Sequence, residues 1–402
     1  MQLQEKMNKK GLDKTLIALM ITLFIGYVLI HDILGGTLFS YCDWDSYSLQ
    51  ALAWRKGQLC LDENYSWLEL AAYNGNYFVS FPPVPSLVMF PLTFLFDEVP
   101  SNFVVACYAM ASVAIAYKIF DDCGFRRVDC AVWSVVTVMG SNMMWMSTIG
   151  GVWFLAQGLN MVLCLAAVRC ILKNKRYLTF IFLALAVGCR PFSALYFIVA
   201  LIIFIKEDME TMRFRKASLS QLKYLAAPAA IALAYMAYNY VRFDNPLEFG
   251  HNYLPEFIEA EDGQFSLNYL GTNLYNLFLR PVTFEDGRLS FPQYDGFLFY
   301  IANPIYLIWF MNICKDIRKR QLAYEKISII ALIFVNIILL CMHKTLGGWQ
   351  FGARYTVDMI PFVILYFMLG QKRRFSAIEY AIGAFAVLFN VYGMMAMHLF
   401  YQ

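Results

Sequence analysis

Asp43-Trp44-Asp45-Ser46-Tyr47 opens a stretch that passes through Asn74-Gly75 and Phe81-Pro82-Pro83-Val84-Pro85 and closes at Pro91. It follows directly on an apolar run from about Thr15 to Leu38. Crossing a bilayer takes about 20 apolar residues, so that run reads as a membrane span. Two carboxylates therefore stand where the chain leaves the membrane, and Pro82-Pro83 marks where it re-enters. An acidic loop under a Pro-rich, aromatic rim suits chemistry on a substrate that lies partly in lipid. Ser46 to Lys56 reads as a short helix, with Asp45 or Ser46 as its N-cap and Gly57 as its stop. Its Tyr47, Leu49, Leu52 and Trp54 suit a helix lying on the membrane surface. Trp67 to Tyr73 is expected to form a second short helix, ahead of the tight-turn pair Asn74-Gly75.

The rest of the chain has the same membrane character. It has 402 residues, 60% hydrophobic and 15% charged. A soluble domain is nearer half apolar and about a quarter charged, so this is a polytopic membrane protein. The net charge of +3 carries no nucleic-acid signal. The apolar segments fall at roughly 15–38, 84–96, 102–119, 130–147, 153–172, 177–205, 224–241, 296–313, 327–342, 354–370 and 376–399. They predict an all-α bundle of about 10–11 spans. No repeat, low-complexity run or linker divides residues 1–402, which read as a single domain. Two extramembrane pieces are long enough to hold structure, 39–83 and 242–295. Lys6, Lys9, Lys10 and Lys14 precede the first run and no small-residue cleavage site follows, which reads as an uncleaved span.

Lys and Arg in short loops set the orientation. The N-terminal lysines, the basic residues of 206–223 and 315–326, and Lys372-Arg373-Arg374 belong on the cytoplasmic side. The 242–295 piece carries nine acids and belongs outside with the first loop. Arg126-Arg127 and Lys173-Lys175-Arg176 create a parity conflict. It is resolved if 84–96 and 102–119 make one net crossing and 177–205 dips in and returns, broken at Arg190-Pro191. The alternative is that both are ordinary spans and those basic loops break the rule.

Most of the ten cysteines lie in apolar runs, where Cys packs as a small hydrophobe. Cys42 and Cys60 share the first loop and could pair in an oxidising compartment; the other reading is two free thiols. No metal-ligand spacing is present. A metal between Asp43 and Asp45 is possible but not favoured, and no cofactor is expected.

Arg354 begins an apolar segment just after Gly347-Gly348-Trp349-Gln350-Phe351-Gly352, where a lipid phosphate would sit. A guanidinium pairs with phosphate oxygens and keeps its charge. The plainer reading is an arginine snorkelling to the interface. Lys344 and His343 cluster with it in a loop expected to face outward, where basic residues are few. Arg190 is a strong charge inside an apolar segment; such residues are costly and mark function or an ion pair. Glu69 sits in the apolar part of the first loop, and His251, Tyr253 and Glu256 in the second, where they could cap a site and bind an acceptor.

In order and spacing, the strings at 43–91, Asn245-Pro246-Leu247-Glu248-Phe249-Gly250 and Gly347–Pro361 resemble the GT-C superfamily of integral membrane glycosyltransferases, bacterial type. The resemblance covers the whole chain in layout. It implies transfer of a hexosyl or pentosyl unit, with inversion, from a polyprenyl-phosphate sugar to an acceptor hydroxyl of a glycolipid, wall polymer or protein. It also implies a bacterial plasma membrane, a cytoplasmic N-terminus and an extracytoplasmic active site. The family's first-loop acid acts as base. Asp45 matches it best, because Ser46 and Tyr47 follow, and Asp43 ranks second. The donor phosphate falls to Arg354, with Lys344 and Arg190; Glu69, His251 and Tyr253 are candidate acceptor ligands. A transporter or flippase of a lipid-linked or polar substrate is the competing reading. It would share the broken helices and Arg190, but transporters tend to show internal repeats.

Overall fold

The computed structural model describes residues 13–285, 287–370 and 374–401. Lys6, Lys9, Lys10, Lys372 and Arg373 lie outside the described residues. The first apolar run forms α1 (Lys14–Ile33), capped by the Asp13 side chain. Its Ile21, Ile25, Leu29 and Ile33 are exposed, as lipid-facing residues would be. The first loop holds α2 (Ser46–Arg55), a hairpin of β1 (Leu70–Tyr73) and β2 (Asn76–Val79), and then α3 (Val84–Leu92). Next come α4 (Ser101–Asp122), α5 (Arg127–Val138), α6 (Met143–Met146) and α7 (Val152–Leu172). Helices α8 (Arg176–Val187) and α9 (Tyr196–Met209) flank a 3₁₀ turn at Pro191–Leu195. Then follow α10 (Phe214–Gln221), α11 (Ala226–Phe243), α12 (Pro255–Ile258) and α13 (Leu270–Phe278). A second small hairpin pairs β3 (Thr283–Glu285) with β4 (Arg288–Ser290). The chain ends with α14 (Phe299–Ala302), α15 (Ile305–Arg318), α16 (Tyr324–Cys341), a 3₁₀ turn at Arg354–Met359, α17 (Ile360–Met368) and α18 (Ala377–Phe400).

This is an all-α polytopic membrane fold with small hairpins in its loops. Among the described residues α1, α4, α7, α16 and α18 are long and apolar enough to cross a bilayer unbroken. Other apolar segments are interrupted. Segment 130–147 breaks between α5 and α6, 296–313 at Asn303-Pro304, and 354–370 begins as a 3₁₀ turn. Polar side chains meet the backbone groups these breaks free, as membrane depth requires. The Asn142 amide N–H donates to Asn303 Oδ1 (2.8 Å), Asn303 Nδ2 donates to Asn142 Oδ1 (2.7 Å), and the Ala353 N–H donates to the same Asn142 oxygen (3.0 Å).

Ion pairs resolve the parity conflict. Arg176, at the start of α8, pairs with Asp208 (2.8 Å) and Glu207 (3.2 Å), at the end of α9. Segment 177–205 therefore returns to the side it came from. Asp13 pairs with Lys118 and Arg127, Asp122 with Arg169 and Lys173, and Lys206 with Glu325. The basic loops thus gather in one layer. Helix α3 does not cross either. It lies along α2, Ser86 Oγ donating to the Tyr47 carbonyl (3.1 Å) and Arg55 to the Thr93 carbonyl.

The first loop departs from expectation at 67–73. The helix read there is strand β1, in register with β2 from Leu70↔Val79 to Tyr73↔Asn76. Asn74 (φ 49°) and Gly75 (φ 76°) form the turn that folds one strand onto the other. Ala71 and Phe78 then pack on Phe243 at the end of α11, burial that a helix at 67–73 would not offer. Cys42 and Cys60 are both free thiols.

Candidate active site

The Gly347–Gly352 loop folds back on Arg354 because three of its residues adopt left-handed backbone. Gly347 (φ 109°), Gly348 (φ 61°) and Gly352 (φ 72°) do so where other residues would be strained. A Cβ on Gly352 would lie 2.3 Å from Asn142 Nδ2. The turn aims the Gly347 carbonyl at Arg354 Nε (2.8 Å), while Gln157 Oε1 of α7 accepts from Nη1 (2.8 Å). Arg354 is 4% exposed, and no hydrogen bond among the described residues engages Nη2.

Arg190 reaches the same place from the apex between α8 and α9. Its Nε donates to Asp358 Oδ2 (2.9 Å). Its guanidinium lies 4.5 Å from the centre of the Tyr355 ring, and that of Arg354 lies 4.7 Å from the same centre. Asn160 and Gln157 donate to the other Asp358 oxygen (3.2 and 3.4 Å). The two arginines thus form one cationic cluster, half-neutralised by Asp358.

The acids of the first loop separate. Asp45 is fully buried and caps α2, accepting from the Ser48 N–H (3.0 Å) and Ser48 Oγ (2.5 Å). Burial pushes its carboxyl up to about 7 despite those hydrogen bonds. It does not reach the cavity. Asp43, two residues earlier, is exposed and lines it, its backbone carbonyl accepting from Trp67 Nε1 (3.1 Å). Glu69 also lines the cavity and accepts from Trp153 Nε1 (3.1 Å). Burial raises its carboxyl to about 7, and Arg354 is close enough to pull it back in part. Trp153 in turn packs on Trp44, ring centres 5.7 Å apart.

The 242–295 piece forms the roof. Gly250 (φ 110°) passes so close to the first hairpin that a Cβ there would meet Phe243, Ala71 and Ser80. His251 Nδ1 donates to the Ser80 carbonyl (2.6 Å) and the ring lines the cavity. His343 lines it too; burial lowers its pKa to about 4, leaving it neutral. The cavity measures about 1320 Å³, above the usual 300–1,000 Å³ of small-ligand sites. Its polar wall carries Asp43, Glu69, Arg190, His251, His343 and Arg354. Ile33, Leu34, Phe192, Phe265, Leu340 and Leu399 give it an apolar wall.

Two further expectations change. Lys344 does not line the cavity; its Nζ donates to the Glu256 carbonyl (2.6 Å) and ties α12 to the loop after α16. Tyr253 packs at a tilt against Tyr73 (4.9 Å) and Phe243 (5.4 Å) outside the cavity. Asp358 and Gln157 escaped the sequence reading. An acid four residues after Arg354, inside an apolar segment, was the available signal for Asp358, since a buried charge there needs a partner. Among the described residues no three His, Cys, Asp or Glu side chains gather as metal ligands would.

These helices and the loop-roofed cavity define a class, a polytopic helical membrane protein with a cavity roofed by its loops. No model of a known protein family matches the sequence, and no curated relative matches it. Among solved structures the chain is similar to ArnT from Cupriavidus metallidurans, in a crystal structure bound to undecaprenyl phosphate. The TM-score is 0.55 over 96% of this chain, at 11% identity, and the chain spans 65% of ArnT's length. The likeness establishes the fold.

Proposed function

We propose that this protein is a membrane glycosyltransferase that moves a sugar from a polyprenyl-phosphate donor to an acceptor hydroxyl. The observation that carries this is the meeting, in one cavity, of two converging guanidiniums with the carboxylates of Asp43 and Glu69 beside an apolar wall. The ArnT likeness supports a lipid-phosphate ligand for the same fold. The acidic loops around the cavity, opposite the basic layer, support an extracytoplasmic site in a bacterial plasma membrane and a cytoplasmic N-terminus.

In this reading the polyprenyl chain lies along the apolar wall and its phosphate meets Arg354 and Arg190. Asp43 takes the proton from the acceptor hydroxyl. The acceptor oxygen bonds to the anomeric carbon as the bond from that carbon to the phosphate oxygen breaks, inverting the centre. The bonding pair leaves on polyprenyl phosphate, which is stable as an anion and needs no acid. Glu69 and His251 bind acceptor hydroxyls, and the acceptor is a glycolipid, wall polymer or protein presenting one. The chemistry requires no metal or cofactor.

Purified protein given a labelled polyprenyl-phosphate sugar and an envelope acceptor fraction tests the proposal. Release of free polyprenyl phosphate with label on the acceptor is the expected result. Passage of intact donor across a vesicle without turnover would instead mark a flippase.

A further inference from the structure

A second cavity, of about 670 Å³, lies in the basic layer at the foot of the α8–α9 hairpin. It is lined by Lys175, Arg176 and Tyr177 at the start of α8, by Asp208, and by Lys223 and Tyr224 after α10. Its acid is already committed: Asp208 Oδ2 accepts from Arg176 Nη1 (2.8 Å), Ser220 Oγ (2.6 Å) and Gln221 Nε2 (2.7 Å). Its lysines are not. Lys175 and Lys223 are exposed, and among the described residues neither side chain has a hydrogen bond or ion pair. Lys223 rests 4.9 Å over the Tyr224 ring, and Tyr224 packs against Tyr177 at 4.6 Å. The cavity therefore carries a net positive charge on an aromatic floor.

Its surroundings expose apolar side chains. Tyr177 and Leu178 are exposed at the start of a membrane hairpin, and Phe214, Leu219 and Leu222 are exposed along and just after α10. Arg213, Arg215 and Lys216 stand between them, the mixture expected of a helix lying in the interface. A basic recess opening at the edge of a bilayer is complementary to an anionic headgroup. We propose that this cavity binds the headgroup of an anionic phospholipid through Lys175 and Lys223, its acyl chains lying on Tyr177, Leu178 and Leu222. Bound there, the lipid braces the Arg176–Asp208 clasp that closes the hairpin whose apex carries Arg190.

Delipidated full-length protein in neutral detergent is titrated with phosphatidylglycerol, phosphatidylcholine or soluble glycerol phosphate, and bound lipid is counted by native mass spectrometry. Phosphatidylglycerol is expected to saturate one site, with phosphatidylcholine and glycerol phosphate much weaker. The pair Lys175→Gln and Lys223→Gln is expected to weaken phosphatidylglycerol about thirty-fold. Lys175→Arg with Lys223→Arg restores it, which excludes misfolding as the cause. Arg215→Gln with Lys216→Gln, outside the cavity, leaves the site intact. Equal binding of both lipids, wild-type affinity in the glutamine pair, or equal loss in the Arg215 and Lys216 pair overturns the proposal. Tight, lysine-dependent binding of glycerol phosphate alone also overturns it, in favour of a soluble phosphate ligand.

Discussion

Asp43 and Asp45 differ in what their neighbours leave them free to do. Asp45 is held by Ser48 as the cap of α2, and Asn caps a helix about as well as Asp. Asp45→Asn is therefore expected to keep transfer and stability, whereas Asp45→Ala lowers stability by about 1 kcal/mol, read as the melting temperature in detergent. In the proposed function Arg354 and Arg190 hold the donor phosphate, where a charge-assisted hydrogen bond is worth roughly 1.5–3 kcal/mol. Arg354→Ala is expected to raise the donor KM roughly 10–100-fold, and Arg354→Lys to recover only part of the loss, because an ammonium lacks the planar fork. Glu69 is expected to set a pH limb. Its carboxyl is held near 7 by burial, so a step needing its anion speeds up as pH rises through that value. Trp153→Phe removes a hydrogen bond that favours the anion, so the limb moves to higher pH; Glu69→Gln abolishes it. An unchanged pH profile in both variants contradicts this role. The sequence showed an i, i+2 pair of acids but not which one faced inward. That choice rests on the Ser48 cap and on the Trp67 bond to the Asp43 carbonyl, both set by the fold of the loop.

The elements that build the site are the irregular ones. The Gly347–Gly352 loop joins two apolar segments and the α8–α9 apex breaks one, and each delivers one arginine. Gly352→Ala forces a side chain into left-handed backbone, which alone costs about 1–2 kcal/mol, and drives a methyl into Asn142. It is expected to lower the melting temperature and activity together, while Gly263→Ala, also left-handed but with open space at its Cβ, leaves activity unchanged. The break at Arg190-Pro191 was legible because a charge and a proline interrupt an apolar run. The β1–β2 hairpin was half legible: Asn74-Gly75 announced the turn, but Trp67–Tyr73 carries no clean alternation. What makes it a strand is Phe243, about 170 residues away in the chain, against which Ala71 and Phe78 pack.

Across the whole molecule, charge divides the ends. The basic loops and their ion pairs form one layer and the acidic loops roof the cavity at the other. Cysteines placed at exposed Glu259 and Lys319, in a cysteine-free background, are expected to react with an impermeant maleimide from opposite sides of the membrane, Glu259→Cys from outside. Labelling of both from one side contradicts the orientation. The helical membrane class was legible from composition, and the parity conflict pointed to the right folding of 84–96 and 177–205. The partnership of Arg190 with Asp358 was not, because it joins two apolar segments whose packing no local pattern encodes. The central claim is that one cavity holds a lipid phosphate on Arg190 and Arg354 while Asp43 activates the acceptor. The most direct test is transfer from a polyprenyl-phosphate sugar by Asp43→Asn, with donor binding measured on the same preparation. The account predicts wild-type donor affinity and a loss of turnover of about 10²–10⁴-fold; turnover within a few-fold of wild type would contradict it.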